Sequence, residues 1–597
     1  MTQKRKTRSA QALRQKWHHN IDHFRHRLAY QEALPQLTIL GLISGMLAAG
    51  IIVLFRLAID LPLSAFLPIH SENFEALSPT WRFLLPVGGA VLVAYIIKST
   101  KPRHRSISVS HVLDRLHNHQ GHLPLTNIFV QFVGGVLCLI SGQSVGREGP
   151  AVHLGAGAAS QLGQWFKLPN NSLRTLAGCG VAAAIAASFN TPMAGVIFAM
   201  EVVLMEYTIG GFIPVILASV SGAAMSQMIF GQDNLLSDAS IQMNSLWEIP
   251  FMAFAGLVIA ACAAIYIKLQ SYFQSLRGGR VLTPLCLAGL LTGTVALFVP
   301  QIMGLGYDTV TQAMQGTIGL NLLLIIIACK LLVTTFSLGM GMPGGLIGPS
   351  LFLGACIGGV MSIIGSTLAP EQAASSGFYV ALGMAAMMGA VLNAPLAALM
   401  TIVELTYNPN IIFPSMLIIV VACFATRQFF RCEGIFQTQL QAAGQDISAG
   451  PAKQILSRVG VRSVMNSAIT NCAKKLTHAT SLHLLQGQPL WIIVDGDPHY
   501  ILRAADLAHY LGSLSPDDES AAKEQEETNP DGKTIYLDDI PARRLSLDYL
   551  HDRANLFEAQ VLLANGNIEA LCVVKQGTTS PILGIITRDT INNYYRI

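Results

Sequence analysis

Long apolar runs alternate with short polar breaks over most of this chain, and then the pattern changes. Between about residues 37 and 428, apolar runs of roughly 15 to 20 residues recur. Examples are 37–55, 83–97, 251–267 and 322–336, the last interrupted only by Lys330. The longer runs match the ~20 residues a helix needs to cross a bilayer. Past about Gly444 the pattern turns to short β-rich runs, such as 490–494 and 571–575, with helical stretches between them. An acidic, low-apolar stretch over 515–533 separates two such blocks. The pattern predicts a polytopic helical membrane part followed by a soluble part of two small α/β modules.

The membrane part repeats itself. One segment runs from Gly180 through Asn190 and Pro192 to Glu201, and a second from Gly383 through Asn393 and Pro395 to Glu404. Gly to Asn is ten residues in both, Asn to Pro two, and Pro to Glu nine. Chance similarity between alanine-rich helices does not fix three spacings at once. Duplicated halves with interrupted apolar segments mark a transporter-type fold with its site at the repeat interface. The spacing leaves open whether the halves are inverted. Small residues crowd 155–160 and 354–359, where they let helices approach closely in lipid.

Composition supports the membrane assignment. Charged residues make up 12% of the 597, against roughly 25% in soluble proteins. The first 35 residues differ: Lys4, Arg5, Lys6, Arg8, Arg14, Lys16, Arg25 and Arg27 stand against Asp22 and Glu32. No apolar core precedes a small-residue cleavage site, so the segment is not read as a secretory signal. It predicts a positive-inside anchor with an amphipathic helix on the cytoplasmic leaflet, a nucleic-acid arm being the poorer alternative. The net charge of +4 says little about partners. The ten cysteines are scattered, without CxxC pairs or zinc spacing to histidine, so neither a disulfide framework nor a metal is expected.

Two glycine- and proline-rich stretches carry the candidate chemistry. They are Gly146-Arg147-Glu148-Gly149-Pro150 and the run from Gly341 to Pro349, each leading into a helical pattern. A helix N-terminus has unpaired N–H groups and about +0.5 charge. Two such ends facing one point inside a membrane form an anion site without lysines. Glu148 at that point is a built-in competitor for the anion, and an intramembrane carboxylate is a functional candidate by default.

Gly146–Pro150, Asn190-Thr191-Pro192 and the Gly344–Pro349 stretch together resemble the CLC family of chloride channels and chloride/proton antiporters, over roughly residues 35–444. The resemblance implies an all-α polytopic fold of about eighteen uneven helices in two inverted repeats. It further implies a homodimer with one anion pore per subunit. The soluble part resembles a pair of CBS modules. Ile582 to Ile591, with Thr587 and Asp589, is similar to the closing strand and helix start of such a module. The segment Tyr500 to Leu507 is the weaker counterpart. The expected organisation is a cytoplasmic basic helix at 1–35, an anion pore domain at 36–444, CBS modules at 445–514 and 534–597, and an acidic linker at 515–533. CBS pairs often bind adenine nucleotides. Here Arg503 stands for the usual Thr, and Thr587 and Asp589 are one residue too close, so no cofactor is expected beyond chloride as the bound ion, an adenine nucleotide at the pair being the weaker alternative. The expected partners are chloride or a similar small anion, the bilayer and a second copy of the chain, with no nucleic acid. Compact loops and the basic N-terminus point to a bacterial inner membrane with both termini cytoplasmic.

By resemblance, Glu148 is the gating glutamate. The N–H groups of Arg147, Glu148 and Gly149 face the outer anion, and those of Leu346 and Ile347 the central one. Arg147 adds positive potential or a structural ion pair. Counted back from Glu148 without gaps, the family's Gly-Ser-Gly-Ile-Pro motif falls on residues 106–110. Ile107 then takes the place of the anion-coordinating serine, with Ser106 and Ser108 beside it; a one-residue shift restores a hydroxyl. The inner tyrosine falls on Phe436, which keeps the ring and loses the O–H donor. The inner proton-relay glutamate of many antiporters falls on Val202, although Glu206 lies little more than one turn on. These three changes predict passive, Glu148-gated chloride conduction, weakly or not coupled to protons. The competing readings are a chloride/proton antiporter on the same fold and a channel for nitrate or fluoride. A membrane-embedded enzyme lacks HExxH, GxSxG and Walker A signatures here. His153 is expected to pack or hydrogen-bond beside the pore rather than catalyse. A membrane sensor signalling through the CBS pair is the last alternative.

Overall fold

The computed structural model describes residues 34–67, 73–231, 242–445, 451–495, 500–513, 534–566, 568–578 and 580–595. The basic segment 1–33 and the acidic stretch 514–533 lie outside the described residues, and with them the anchor helix and linker expected there. The chain divides into a membrane unit, residues 34–167 and 173–448, and a second unit built mainly from 449–597.

The first half of the membrane unit forms α1 (Leu34–Phe66), α2 (Pro79–Ser99), α3 (Ser108–Asn118), α4 (Leu125–Ile140), α5 (Glu148–Trp165), α6 (Asn170–Phe189), α7 (Pro192–Phe198) and α8 (Ile209–Phe230). The second half forms α9 (Glu248–Leu276), α10 (Leu282–Phe298), α11 (Tyr307–Met314), α12 (Leu320–Gly339), α13 (Ile347–Leu368), α14 (Ser376–Leu392), α15 (Pro395–Thr406), α16 (Ile412–Gln428) and α17 (Ile435–Ala442). Eight helices of the described residues are long and apolar enough to cross a bilayer. Lys330, the one charge in its apolar run, is buried on α12. Its Nζ donates to the carbonyls of Ile302 and Gly304 at 2.8 and 2.9 Å.

The repeated Asn–x–Pro signature has a backbone cause. Asn190 and Asn393 sit at φ +60° and +55°, a left-handed conformation that asparagine tolerates and that ends a helix. Pro192 and Pro395 then open α7 and α15, where a missing N–H costs nothing. The glutamate that closes each copy caps the other half. Glu404 accepts from the N–H groups of Met193 and Ala194, both at 2.8 Å. Glu201 accepts from those of Leu396 and Ala397 at 3.3 and 2.7 Å. Glu201 follows the end of α7 and caps the start of α15, while Glu404 near the end of α15 caps the start of α7. These two equivalent helices therefore run antiparallel, so the halves are inverted.

The small-residue clusters follow the same symmetry. A Cβ on Gly155 of α5 would collide with the Gly180 carbonyl of α6, and one on Gly354 of α13 with the Gly383 carbonyl of α14. Both helix pairs pack backbone to backbone, holding α5 and α13 in place.

The second unit alternates strands and helices: α18 (Pro451–Leu456), β1 (Ile469–Ala473), β2 (Lys475–Thr477), α19 (His478–Gln486), β3 (Trp491–Asp495), β4 (Tyr500–Arg503), α20 (Ala504–Ser513), β5 (Thr534–Tyr536), β6 (Leu545–His551), α21 (Leu556–Asn565), β7 (Ala570–Val574), β8 (Ile582–Thr587) and α22 (Arg588–Tyr595). The main sheet has the order β1-β3-β4-β6-β7-β8. β1 and β3 pair in parallel and β3 with β4 antiparallel; β6 and β7 pair in parallel and β7 with β8 antiparallel. The unit is thus one strand–helix–strand–strand–helix pattern used twice. Each copy buries its own apolar core, around Ile492, Val494 and Leu507 in one and Leu571, Val573 and Ile586 in the other.

Candidate functional site

The N-terminal ends of α5 and α13 meet. Gly146 and Gly345, one from each glycine-rich stretch, form a two-residue antiparallel bridge, each N–H donating to the other's carbonyl at 2.7 Å. Gly149 lies against the same strand: a Cβ there would stand 2.6 Å from the Gly345 Cα. Two sets of free helix N–H groups, and the positive ends of two helix dipoles, converge on one buried point.

Glu148 occupies that point. Its side chain is fully buried, and Oε2 accepts from the Gly348 N–H at 3.1 Å. Glycines make the space. A Cβ on Gly146 would collide with Oε2, and one on Gly348 would lie 2.9 Å from Oε1. The amide facing the carboxylate is therefore that of Gly348, one residue past the Leu346 and Ile347 pair. Leu346 is the residue before α13 and Ile347 its first residue; both are buried. The Arg147 guanidinium donates to the Ser188 carbonyl at 3.0 Å and lies over the rings of Phe189 and Tyr307.

A cavity of about 280 Å³ borders the second stretch, lined by Ile107, Ser108, His111, Gln270, Arg277 and Leu346 among others. Ser108 has φ +76°, a region costly for any residue but glycine. In the ungapped register Ser108 stands where the motif has its second glycine, and Ile107 where it has its serine. The Gln131 side chain supports this corner: Oε1 accepts from the Ser108 N–H at 2.7 Å, and Nε2 donates to the Pro343 carbonyl at 3.2 Å. One buried amide thus ties the turn before α3 to the second glycine-rich stretch. Phe436 is buried in the first turn of α17, whose later residues Gln439 and Leu440 line the cavity. Val202 is buried in the π-helical turn Ala199–Leu204 that continues α7. His153 on α5 is buried and its Nε2 stands 2.8 Å from Nδ1 of His111 on α3.

In the second unit, Arg503, Asp506, Thr587 and Asp589 line one cavity of about 770 Å³, with Trp491 and Arg544.

Two groups at this site escape a reading of the sequence, Gln131 and the Gly348 amide. The amide follows once the helix start is known, since the second or third residue of a helix is the usual site of a free N–H. Gln131 has one weak signal, a lone amide in an apolar run.

Residues 89–427 match the family model described as voltage gated chloride channel. Over 350 residues the chain is 27% identical to a ClcB-like protein of Ralstonia nicotianae, named as a chloride channel. That match covers 57% of this chain and 81% of that protein. Over 325 residues it is 29% identical to the H(+)/Cl(-) exchange transporter ClcA of Salmonella agona, covering 52% and 68%. A solved slow cyanobacterial Cl-/H+ antiporter shares the fold, with a TM-score of 0.60 at 23% identity, over 69% of this chain and 98% of that one. With inverted repeats meeting at two glycine-rich helix starts and a family match across most of the membrane unit, the chain belongs to the CLC family of anion-transporting membrane proteins.

Proposed function

We propose that this protein exchanges chloride for protons, with Glu148 as the group common to both movements. The observation that carries the reading is the Glu148 carboxylate seated between two helix N-termini on the Gly348 amide. Such an end stabilises either a carboxylate or a chloride, and one seat does not hold both. On protonation the carboxyl loses the charge that holds it to the two dipoles, and an anion takes its place. Proton uptake and anion entry then alternate at one point, the minimum that coupling requires.

The relatives named as exchangers favour exchange over the passive conduction expected from Ile107, Phe436 and Val202, against the one ClcB-like relative named as a chloride channel. The H(+)/Cl(-) exchange transporter ClcA is 29% identical and aligned over 68% of its own length. Val202 removes one titratable side chain from one route, whereas the coupling group is Glu148. A proton reaches a buried carboxyl by any chain of polar groups or water.

On the same footing, the second unit works as a CBS pair, the membrane units pair as homodimers, and both termini lie in the cytoplasm of a bacterium. The doubled strand–helix–strand–strand–helix pattern supports the first of these. The departures at Arg503 and at the Thr587–Asp589 spacing weigh against an adenine nucleotide in its cavity.

Purified protein in chloride-loaded vesicles tests the proposal. An imposed chloride gradient is expected to drive protons uphill in fixed ratio to chloride. Glu148→Ala is expected to abolish proton movement and keep chloride flux. Chloride flux without proton movement in the unaltered protein would restore the channel reading.

A further inference from the structure

The donors that the family resemblance assigns to side chains are missing at Ile107 and Phe436, yet α9 carries a buried hydroxyl without a partner. Tyr266 lies on α9, and its side chain is fully buried. Among the described residues its hydroxyl has no hydrogen-bond partner. The phenol is within electrostatic range of the Glu148 carboxylate. One turn along the same face, at i+4, Gln270 is also buried, has an unpaired Oε1, and lines the cavity that Ile107, Ser108 and Leu346 border. Farther along, Gln274 and Arg277 line that cavity too. The face of α9 carrying Tyr266 therefore runs from the cavity wall inward toward the Glu148 seat. It passes the end of α12: a Cβ on Gly339 would stand 3.1 Å from the Gln270 carbonyl.

A buried hydroxyl without a partner is rare and calls for a reason. Tyrosine in an apolar interior usually finds a partner for its O–H. Phenylalanine would fill the same space without a polar atom, so the hydroxyl is not there for packing. An O–H donor to a charged acceptor is among the stronger hydrogen bonds. A small anion moving between the cavity and the Glu148 seat is the acceptor this position can serve.

We propose that the Tyr266 hydroxyl donates to the transported halide, supplying from α9 the side-chain donor that Ile107 and Phe436 lack. Tyr266 is then a specificity-determining residue. One donor on a ring favours a chloride-sized ion over a strongly hydrated fluoride, which needs several donors to replace its water. The inference rests on the anion-transport reading of the Glu148 site, not on proton coupling.

The test is chloride binding by titration calorimetry to purified full-length protein, comparing the unaltered chain, Tyr266→Phe and the double variant Tyr266→Phe/Phe436→Tyr. Folding is checked by thermal unfolding and size exclusion. Tyr266→Phe is expected to weaken chloride about tenfold, in line with loss of one bond to a charged group. Its melting point is expected to stay within about 2 °C of the unaltered protein, as for a volume-conserving change. The double variant, which returns a hydroxyl on α17, is expected to regain most of the affinity; a purely structural tyrosine would not be rescued there. Unchanged chloride affinity in Tyr266→Phe overturns the inference, as does weaker binding that tracks a lowered melting point and is not rescued. Proton flux in the unaltered protein reads the exchange proposal separately. Chloride movement without protons, together with a weakened Tyr266→Phe, would sink exchange and leave this inference standing.

Discussion

Oε2 of Glu148 accepts a hydrogen bond from the Gly348 N–H at 3.1 Å, joining the first half of the membrane unit to the second at their two helix starts. Inverted repeats make this contact natural. A glycine-rich helix start copied and turned over faces itself, as the Gly146–Gly345 bridge records. Only one copy carries a carboxylate, so the site is symmetric in its backbone donors and asymmetric in its titratable group.

The carboxylate needs the space that glycine leaves. In Gly348→Ala the new methyl would stand 2.9 Å from Glu148 Oε1, closer than the side chain tolerates in its present position. Chloride efflux from vesicles loaded with the unaltered protein is expected to rise as pH falls and the carboxyl leaves its seat. In Gly348→Ala that dependence is expected to flatten, because the carboxylate is displaced at every pH. An unchanged pH profile would show that the glycine is not making room for the acid.

Glu201 and Glu404 are structural caps with equal roles. Each accepts two N–H groups from the opposite half. Glu404→Ala is expected to cost about 1 kcal/mol of stability, as for loss of a helix cap, and Glu201→Ala about the same. Denaturant unfolding in detergent reads both. A loss in one and none in the other would break the equivalence of the two caps.

Close helix approach at the repeat glycines is the third test. Gly354→Val puts a branched side chain against the Gly383 carbonyl, where not even a Cβ fits. Overpacking of this kind costs about 1–3 kcal/mol or expels the helix from its place. The expected result is a lowered melting point and reduced yield of folded protein, matched by Gly155→Val in the other half.

In the second unit the Tyr500 hydroxyl donates to Asp538 at 2.6 Å. Burial, followed by this bond to a carboxylate, pushes the phenol up to about 12. The ordinary value is about 10. Above pH ~10 the unfolded chain releases this proton while the folded one keeps it, so stability falls as pH rises from about 10 to about 12. Tyrosinate absorbance during alkaline titration is expected to lose one component ionising near pH 12 in Tyr500→Phe.

Much of this site can be read from residue order, and the reason is backbone geometry. Asn190, Pro192, Asn393 and Pro395 mark helix ends because few residues tolerate a left-handed stop followed at once by a new helix start. Gly146 and Gly348 mark the seat because a side chain would collide with Glu148. Glu148 itself stands out because a carboxylate among apolar runs needs a partner. What stays hidden depends on distance in the chain. The repeat spacing is silent on the inversion of the halves, which the family resemblance implies and which the mutual capping by Glu201 and Glu404 displays. Gln131 and Pro343 are 212 positions apart, and no local pattern announces their bond. Tyr266 sits in an ordinary apolar stretch and gains meaning only when α9 packs beside the glycine turns. Val202 weighs against proton coupling for a related reason: a missing side chain is visible in a sequence, whereas alternative routes through a packed interior are not.

The central claim is that a halide and the Glu148 carboxylate use one seat on the Gly348 amide. Bromide located by anomalous scattering in crystals of Glu148→Ala tests it most directly. The account predicts bromide within hydrogen-bond distance of the Gly348 N–H, where the carboxylate oxygen stands in the unaltered protein. Crystals soaked in bromide that show none between the Gly146 and Gly345 turns would contradict it.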